Sequence, residues 1–140
     1  MESTTDVWKA FGENEITHSA AHHLLAIFEL KNLHGYARVT DVAKFLDITT
    51  GSASTNLKSL KQRNLVLEDE NKFLILSDEG QHLAEAILNR RVILEKFFID
   101  ILGVNPELAS IDACKTEHLL SGETTAKMAE FLKSKGKKKA

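Results

Sequence analysis

Cys114 is the single cysteine of this 140-residue chain, and it stands in the stretch DACKTEHLL, Asp112 to Leu120. Glu117 follows at i+3 and His118 at i+4. On a helix these offsets bring a thiol, a carboxylate and an imidazole to one face. Three readings fit. A thiol beside an imidazole is a nucleophile and its base. Sulfur, oxygen and nitrogen donors on one face are part of a divalent-cation site. A cysteine on an apolar helix is also an ordinary small core residue. The nucleophile lacks its supporting parts: the chain has no oxyanion-hole motif and no glycine-rich loop, so it is read as a non-enzyme. Spacing alone leaves the core and metal readings open.

The composition is that of a globular protein, 43% hydrophobic and 27% charged. One cysteine excludes an internal disulfide framework and suits a reducing cytosol, so a cytoplasmic location is expected. The start, MESTTDVWKAFGENEI, has neither a basic n-region nor an apolar h-region, and no apolar run approaches the ~20 residues of a membrane span. The net charge of −2 is unevenly spread. Residues 31–64 carry Lys31, Arg38, Lys44, Lys58, Lys61 and Arg63 against Asp41 and Asp47, while the flanking stretches are acidic. A basic island in an acidic chain is a nucleic-acid footprint or a solvated helix face.

The elements that must position these residues follow from periodicity and caps. Residues 1–16 read as an N-terminal arm, with Trp8 and Phe11 placed on neighbouring structure. ITHSAAHHLLAIFELKNLHG reads as a helix with Leu24, Ile27, Phe28 and Leu30 near helical spacing and Gly35 after its end. RVTDVAKFLDI reads as a short second helix, capped by Thr40, whose core face is Val42, Ala43, Phe45 and Leu46. TTGSASTNLKSLKQRN is the third, separated from the second by the short break DITTG. Two such helices make a helix-turn-helix. LVL and FLIL then flank the polar turn EDEN as a hairpin, which makes residues 17–77 a winged helix-turn-helix.

Ser77 is the expected cap of an unusually long helix, DEGQHLAEAILNRRVILEKFFIDILG. A small domain has little room to bury a helix so long and apolar, and a second copy of the chain is the usual solution. NPELASIDACKTEHLL, with Pro106 near its start, and GETTAKMAEFLK complete a helical dimerisation module over residues 78–132. Residues 133–140, rich in lysine, read as a basic disordered tail. The fold class is therefore mainly α, a winged helix-turn-helix followed by a helical dimerisation domain.

In the third helix Ala53, Leu57 and Leu60 recur at i, i+4 and i+7 and face the core. At about 100° per residue the opposite side carries Ser52, Thr55, Lys58, Ser59 and Gln62, with Asn56 on the flank. Hydroxyls reach phosphates and base edges, Asn pairs with adenine, and Lys neutralises phosphate. The expected DNA-contacting set is Arg38, Thr49, Ser52, Thr55, Asn56, Lys58, Ser59 and Lys72. The wing tip, Glu68-Asp69-Glu70, is acidic and argues against a wing pressed deep into a groove.

From about Thr17 to Leu132 the chain resembles the DtxR/MntR family, the metal-dependent bacterial repressors of iron and manganese uptake. GYARVTDVAKFLDITTGSAST is similar to the family's helix-turn-helix, and LILSDEGQHLAEAILNRRVILEKFFIDILGV to its linker and first dimerisation helix. DACKTEHLLS resembles its metal motif, A-C-x-x-E-H in the iron branch and E-x-x-E-H in the manganese branch. The resemblance implies the two-domain form without an SH3-like domain. It implies a homodimer on a palindromic double-stranded operator, with no membrane and no small organic substrate.

It also implies that Cys114, Glu117 and His118 are metal ligands and that His22 supplies the remaining one. Glu95 matches an ancillary position. The departures are Arg91 and Ser110, each where the family has a histidine, and Leu25, where the manganese branch has a glutamate. Iron or manganese is implied by the resemblance, while a Cys/His/His/Glu set suits zinc or cobalt. Arg91 repels a second cation, and Glu117 next to Arg91 also reads as a plain salt bridge between helices. The alternative is a regulator of the same ancestry that has lost metal dependence and senses another signal, such as thiol oxidation. His18, His23, His34 and His82 are read as ordinary surface residues.

Overall fold

The computed structural model describes residues 16–139, with side chains as far as residue 135. The expected arm over residues 1–16 therefore falls almost wholly outside the described residues. The chain divides into two units, the first spanning Ile16–Glu85 and the second formed by the residues from Ala86 onward. The sequence expectation put the boundary at Ser77. The division instead falls inside a helix, so that helix's first two turns belong with the first unit.

Helix α1 is His18–His34. Thr17 caps it by accepting the Ala20 N–H at 3.1 Å, and Gly35 ends it with φ 83°, the left-handed conformation that glycine adopts at no steric cost. Leu24, Ile27 and Leu30 are buried as expected. Helix α2 is Val39–Leu46, two residues longer at its start than a Thr40 cap would give. Thr40 is inside it and does not cap. The Arg38 N–H is instead taken by the Asp41 carboxylate at 2.9 Å. Val42 and Ala43 are buried, but Phe45 is 48% exposed, a correction to the expected core face.

Helix α3, Thr50–Gln62, follows a turn in which Asp47 has φ 55°. Thr49 caps it, accepting the Ser52 N–H at 3.1 Å. Ala53, Leu57 and Leu60 are each fully buried. The three helices thus meet on the faces that their apolar periodicity marks out. Strands β1 (Val66–Glu68) and β2 (Leu74–Leu76) pair antiparallel, with Leu67 opposite Ile75. The turn is organised by Asp69, whose Oδ1 accepts both the Asn71 and Phe73 N–H groups at 2.9 Å. The Leu74 N–H donates to the Ala37 carbonyl at 2.8 Å and ties the wing to the α1–α2 connection.

Helix α4 is Asp78–Lys96 and continues as a π-helical turn, Phe97–Ile101. Ser77 caps it as expected: its Oγ accepts the Gly80 N–H at 3.0 Å and donates to the Asn64 carbonyl at 2.6 Å. Helix α5 is Pro106–Thr116, with Asn105 capping the Leu108 N–H at 2.9 Å. Helix α6 is Gly122–Lys139. It runs past Leu132 through the lysines that were expected to form a disordered tail, which corrects that expectation. Lysine is a good helix former and Gly136 alone does not break the run. The described fold is mainly α with one two-stranded sheet, and none of its helices is long and apolar enough to cross a membrane.

Candidate metal centre and DNA-facing helix

Within the second unit, Cys114 lies on α5 and Glu117 follows at its C-terminal cap with helical φ and ψ. The Glu117 N–H still reaches the Ala113 carbonyl at 2.9 Å, so the helical offset persists past the last full turn. Cys114 is half-buried, Glu117 is fully buried and His118 is 7% exposed. Small alanines on the same helix, Ala109 and Ala113, are fully buried beside them.

Arg91 on α4 meets the Glu117 carboxylate as a two-pronged fork. Its Nε donates to Oε2 at 2.5 Å and an Nη to Oε1 at 2.7 Å. Arg90 adds a long contact to the Glu117 carbonyl, 3.5 Å. A planar guanidinium matches a carboxylate in this way as no ammonium can. The fork is the largest influence holding the Arg91 pKa above its ordinary value, against the lowering effect of burial, with Glu117, Cys114 and Glu95 adding attraction. The Cys114 thiol is pushed above the ordinary thiol range, first by burial and then by the Glu117 charge, while Arg91 pulls it down. These carboxylates, the thiol and the guanidinium form one electrostatic cluster.

The fourth expected ligand, His22, lies in the first unit on α1, half-buried. There it packs against His18, with ring centroids 4.1 Å apart. His18 was read as an ordinary surface histidine, and the i, i+4 offset of the pair is the signal that could have flagged it. His23, unlike His18, is not on the surface: it is 3% exposed with Nδ1 2.7 Å from the Ser19 carbonyl, a correction to its reading. The donor types present suit a cation in part. Imidazoles and a thiol are good ligands for borderline divalent metals, but both oxygens of Glu117 are committed to Arg91.

The expected DNA-contacting residues separate into two groups. Ser52, Lys58 and Ser59 are exposed along α3. Thr49 and Thr55 are exposed too, but they hold backbone groups: Thr49 caps the helix and Thr55 Oγ1 donates to the Gly51 carbonyl at 3.0 Å. Asn56 is half-buried and turned toward α1. Its Oδ1 accepts from Ser19 Oγ at 2.9 Å and its Nδ2 donates to the Ser52 carbonyl at 3.0 Å, so it clasps α3 to α1. Arg38 is exposed with its guanidinium 4.4 Å from the centre of the Phe73 ring, a cation–π contact that presents a fixed positive charge beside the wing. Lys72 sits exposed at the wing tip with φ 66°. Lys61 is paired with Glu68 at 2.5 Å.

The architecture is a winged helix-turn-helix with an exposed polar second helix, continuing into a helical unit that carries a thiol, imidazoles and carboxylates. Residues 77–138 match the family model described as "Iron dependent repressor, metal binding and dimerisation domain". The HTH-type transcriptional regulator MntR of Listeria monocytogenes is 28% identical over 116 residues, covering 83% of this chain and 81% of that relative. Two solved structures share the fold over 84% of this chain. They are the manganese regulator SloR, with a TM-score of 0.74 at 23% identity, and the metal-dependent transcriptional regulator MtsR, 0.75 at 21%. The chain spans 55% of each of those two chains. These matches liken residues 77–138 to the metal-binding and dimerisation domain of iron-dependent repressors, and most of the chain to MntR-type regulators.

Proposed function

We propose that the chain is a metal-dependent repressor of metal-uptake genes, acting as a homodimer on a palindromic double-stranded operator. The supporting observation is the order of its parts. A winged helix-turn-helix with an exposed polar face on α3 leads directly into a segment matching a metal-binding and dimerisation model. In this reading Ser52, Lys58 and Ser59 face the major groove, Arg38 and Lys72 meet phosphates, and Thr49, Thr55 and Asn56 hold α3 in position for them.

The expected cation ligands are His22 in the first unit and Cys114, Glu117 and His118 in the second. A bound divalent cation supplies a cross-link between donors of the two units. Iron and manganese are the family's metals; the nitrogen and sulfur donors suit zinc or cobalt equally. The cross-link favours the DNA-competent arrangement by its differential affinity, and DNA must tighten metal binding by the same factor. Paired recognition helices then match successive major grooves about 34 Å apart. Cys114 must lose its proton to ligate, and its raised pKa makes metal affinity climb with pH.

The test is selection from a randomised duplex pool with Mn²⁺, Fe²⁺, Co²⁺, Zn²⁺ or chelator. Metal-dependent enrichment of palindromes is expected, lost in His22→Ala and Cys114→Ala although both remain dimers. Equal enrichment with and without metal, in wild type and variants, rejects the metal-dependent reading.

A further inference from the structure

We propose that His18 is a metal ligand paired with His22 as a two-imidazole clamp, and that Glu117 is not a ligand but the carboxylate that Arg91 holds in place. The inference rests on the metal-dependent reading above and specifies its donors.

Two observations, each inside one unit, carry it. On α1, His18 and His22 are one helical turn apart, with ring centroids 4.1 Å apart and a ligating nitrogen of each within 4.8 Å of the other. Two nitrogens bound to one zinc-like ion at about 2.0–2.1 Å lie no more than about 4.2 Å apart. A small rotation of either side chain therefore closes the pair on one ion. The i, i+4 spacing of histidines on a helix is the arrangement that helical metal motifs use for this reason. Leu25, one turn beyond His22, is buried and apolar, so the second donor on this face lies at the N-terminal side.

On the other unit, Glu117 spends both carboxylate oxygens on the Arg91 fork, with its side chain fully buried. Moving it onto a cation strips Arg91 of its main partner. Three expected donors then remain: His22, Cys114 and His118. His18 restores the count to four, as three imidazoles and one thiolate. That set favours zinc and cobalt and disfavours manganese, which prefers oxygen.

The test uses Co²⁺ added to the full chain, read by the visible bands of tetrahedral cobalt and the near-ultraviolet thiolate–cobalt band. Affinity is measured by competition with a chromophoric chelator. His18→Ala alters an exposed residue and leaves the fold intact. It should weaken Co²⁺ binding by at least about tenfold, the smaller end of what losing even a supporting group costs, and dim the tetrahedral bands while the thiolate band persists. Glu117→Gln should lower the melting temperature yet keep both bands. A His18→Ala protein that binds Co²⁺ like wild type overturns the inference, provided Cys114→Ser still abolishes the thiolate band. So do tetrahedral bands lost in Glu117→Gln and kept in His18→Ala. A wild-type chain that binds neither Co²⁺ nor Zn²⁺ overturns this inference together with the metal-dependent reading.

Discussion

At the scale of single residues, the decisive contact is Arg91 on Glu117. Glu117 is fully buried, and the Arg91 side chain retains 30% of its exposure. A buried carboxylate without its guanidinium is costly. Breaking such a pair from one side destabilises by about 3–5 kcal/mol, and the partial exposure of Arg91 sets the lower end, ~3 kcal/mol, as the expectation for Arg91→Ala. Replacing both partners, Arg91→Met with Glu117→Leu, should recover most of that loss, since an apolar pair leaves no charge stranded. Urea melts of the metal-free protein read this directly. An Arg91→Ala protein within ~0.5 kcal/mol of wild type would show that the pair carries no structural weight. The sequence offered an Arg91–Glu117 salt bridge between helices as one reading, and the structure forms it. Their separation of 26 positions and their fork geometry come from how α4 meets α5, which no local pattern encodes. The same holds for Asn56, whose residue type suits a base edge while its neighbour Ser19 turns it toward α1.

At the scale of elements, most of the architecture was legible. Ala53, Leu57 and Leu60 give α3 its buried stripe, and Ser77 caps α4 as expected; the caps at Thr17 and Thr49 obey the same local chemistry but were not singled out in the sequence. What escaped was set by neighbours and by competition at ends. Arg38 caps α2 through Asp41 in place of Thr40, Phe45 turns outward, and α6 continues through its lysines. The π-helical turn after α4 has no signature in a pattern of apolar residues. Gly80 belongs to the same category, because its role is visible only in three dimensions. A Cβ built there would sit 2.1 Å from the Leu65 carbonyl oxygen, where the start of α4 crosses the strand leading into the wing. That oxygen is backbone and also accepts the Ser77 N–H at 3.1 Å, so it cannot swing aside cheaply. Gly80→Ala should cost about 1–3 kcal/mol, the range for overpacking, although alanine is the better helix former. Gly51, in the first turn of α3, meets nothing within 4 Å, and alanine there should be neutral or stabilising by up to ~1 kcal/mol. Chemical melts of the two variants should therefore move in opposite directions or leave Gly51→Ala unmoved. Equal losses would contradict the close-approach argument.

At the scale of the whole molecule, several large apolar side chains among the described residues of the second unit are exposed. On α5, Ala109 and Ala113 are fully buried while Leu108 and Ile111, at i and i+3 on another face, are 46% and 52% exposed. Leu102 and Phe131 are 60% and 51% exposed. Large apolar side chains scattered singly are ordinary, but two on one face of a helix mark a candidate interface. On the dimeric reading proposed above, a second copy is the partner, because a two-fold axis lets one patch cover itself and would supply the two recognition helices a palindrome requires. Burial of apolar area is worth about 25 cal/mol per Å², and a carboxylate placed in such a patch loses its hydration without gaining a partner. Ile111→Glu should therefore weaken self-association by at least about tenfold, which is ~1.4 kcal/mol, while the fold of each unit persists because residue 111 is not in its core. Sedimentation over a range of protein concentrations measures the first effect and circular dichroism the second. A variant that keeps the wild-type dimer constant excludes this face of α5 from the interface. On the dimeric, palindrome-binding reading proposed above, one that dissociates should also lose palindrome binding at protein concentrations where the wild type is dimeric.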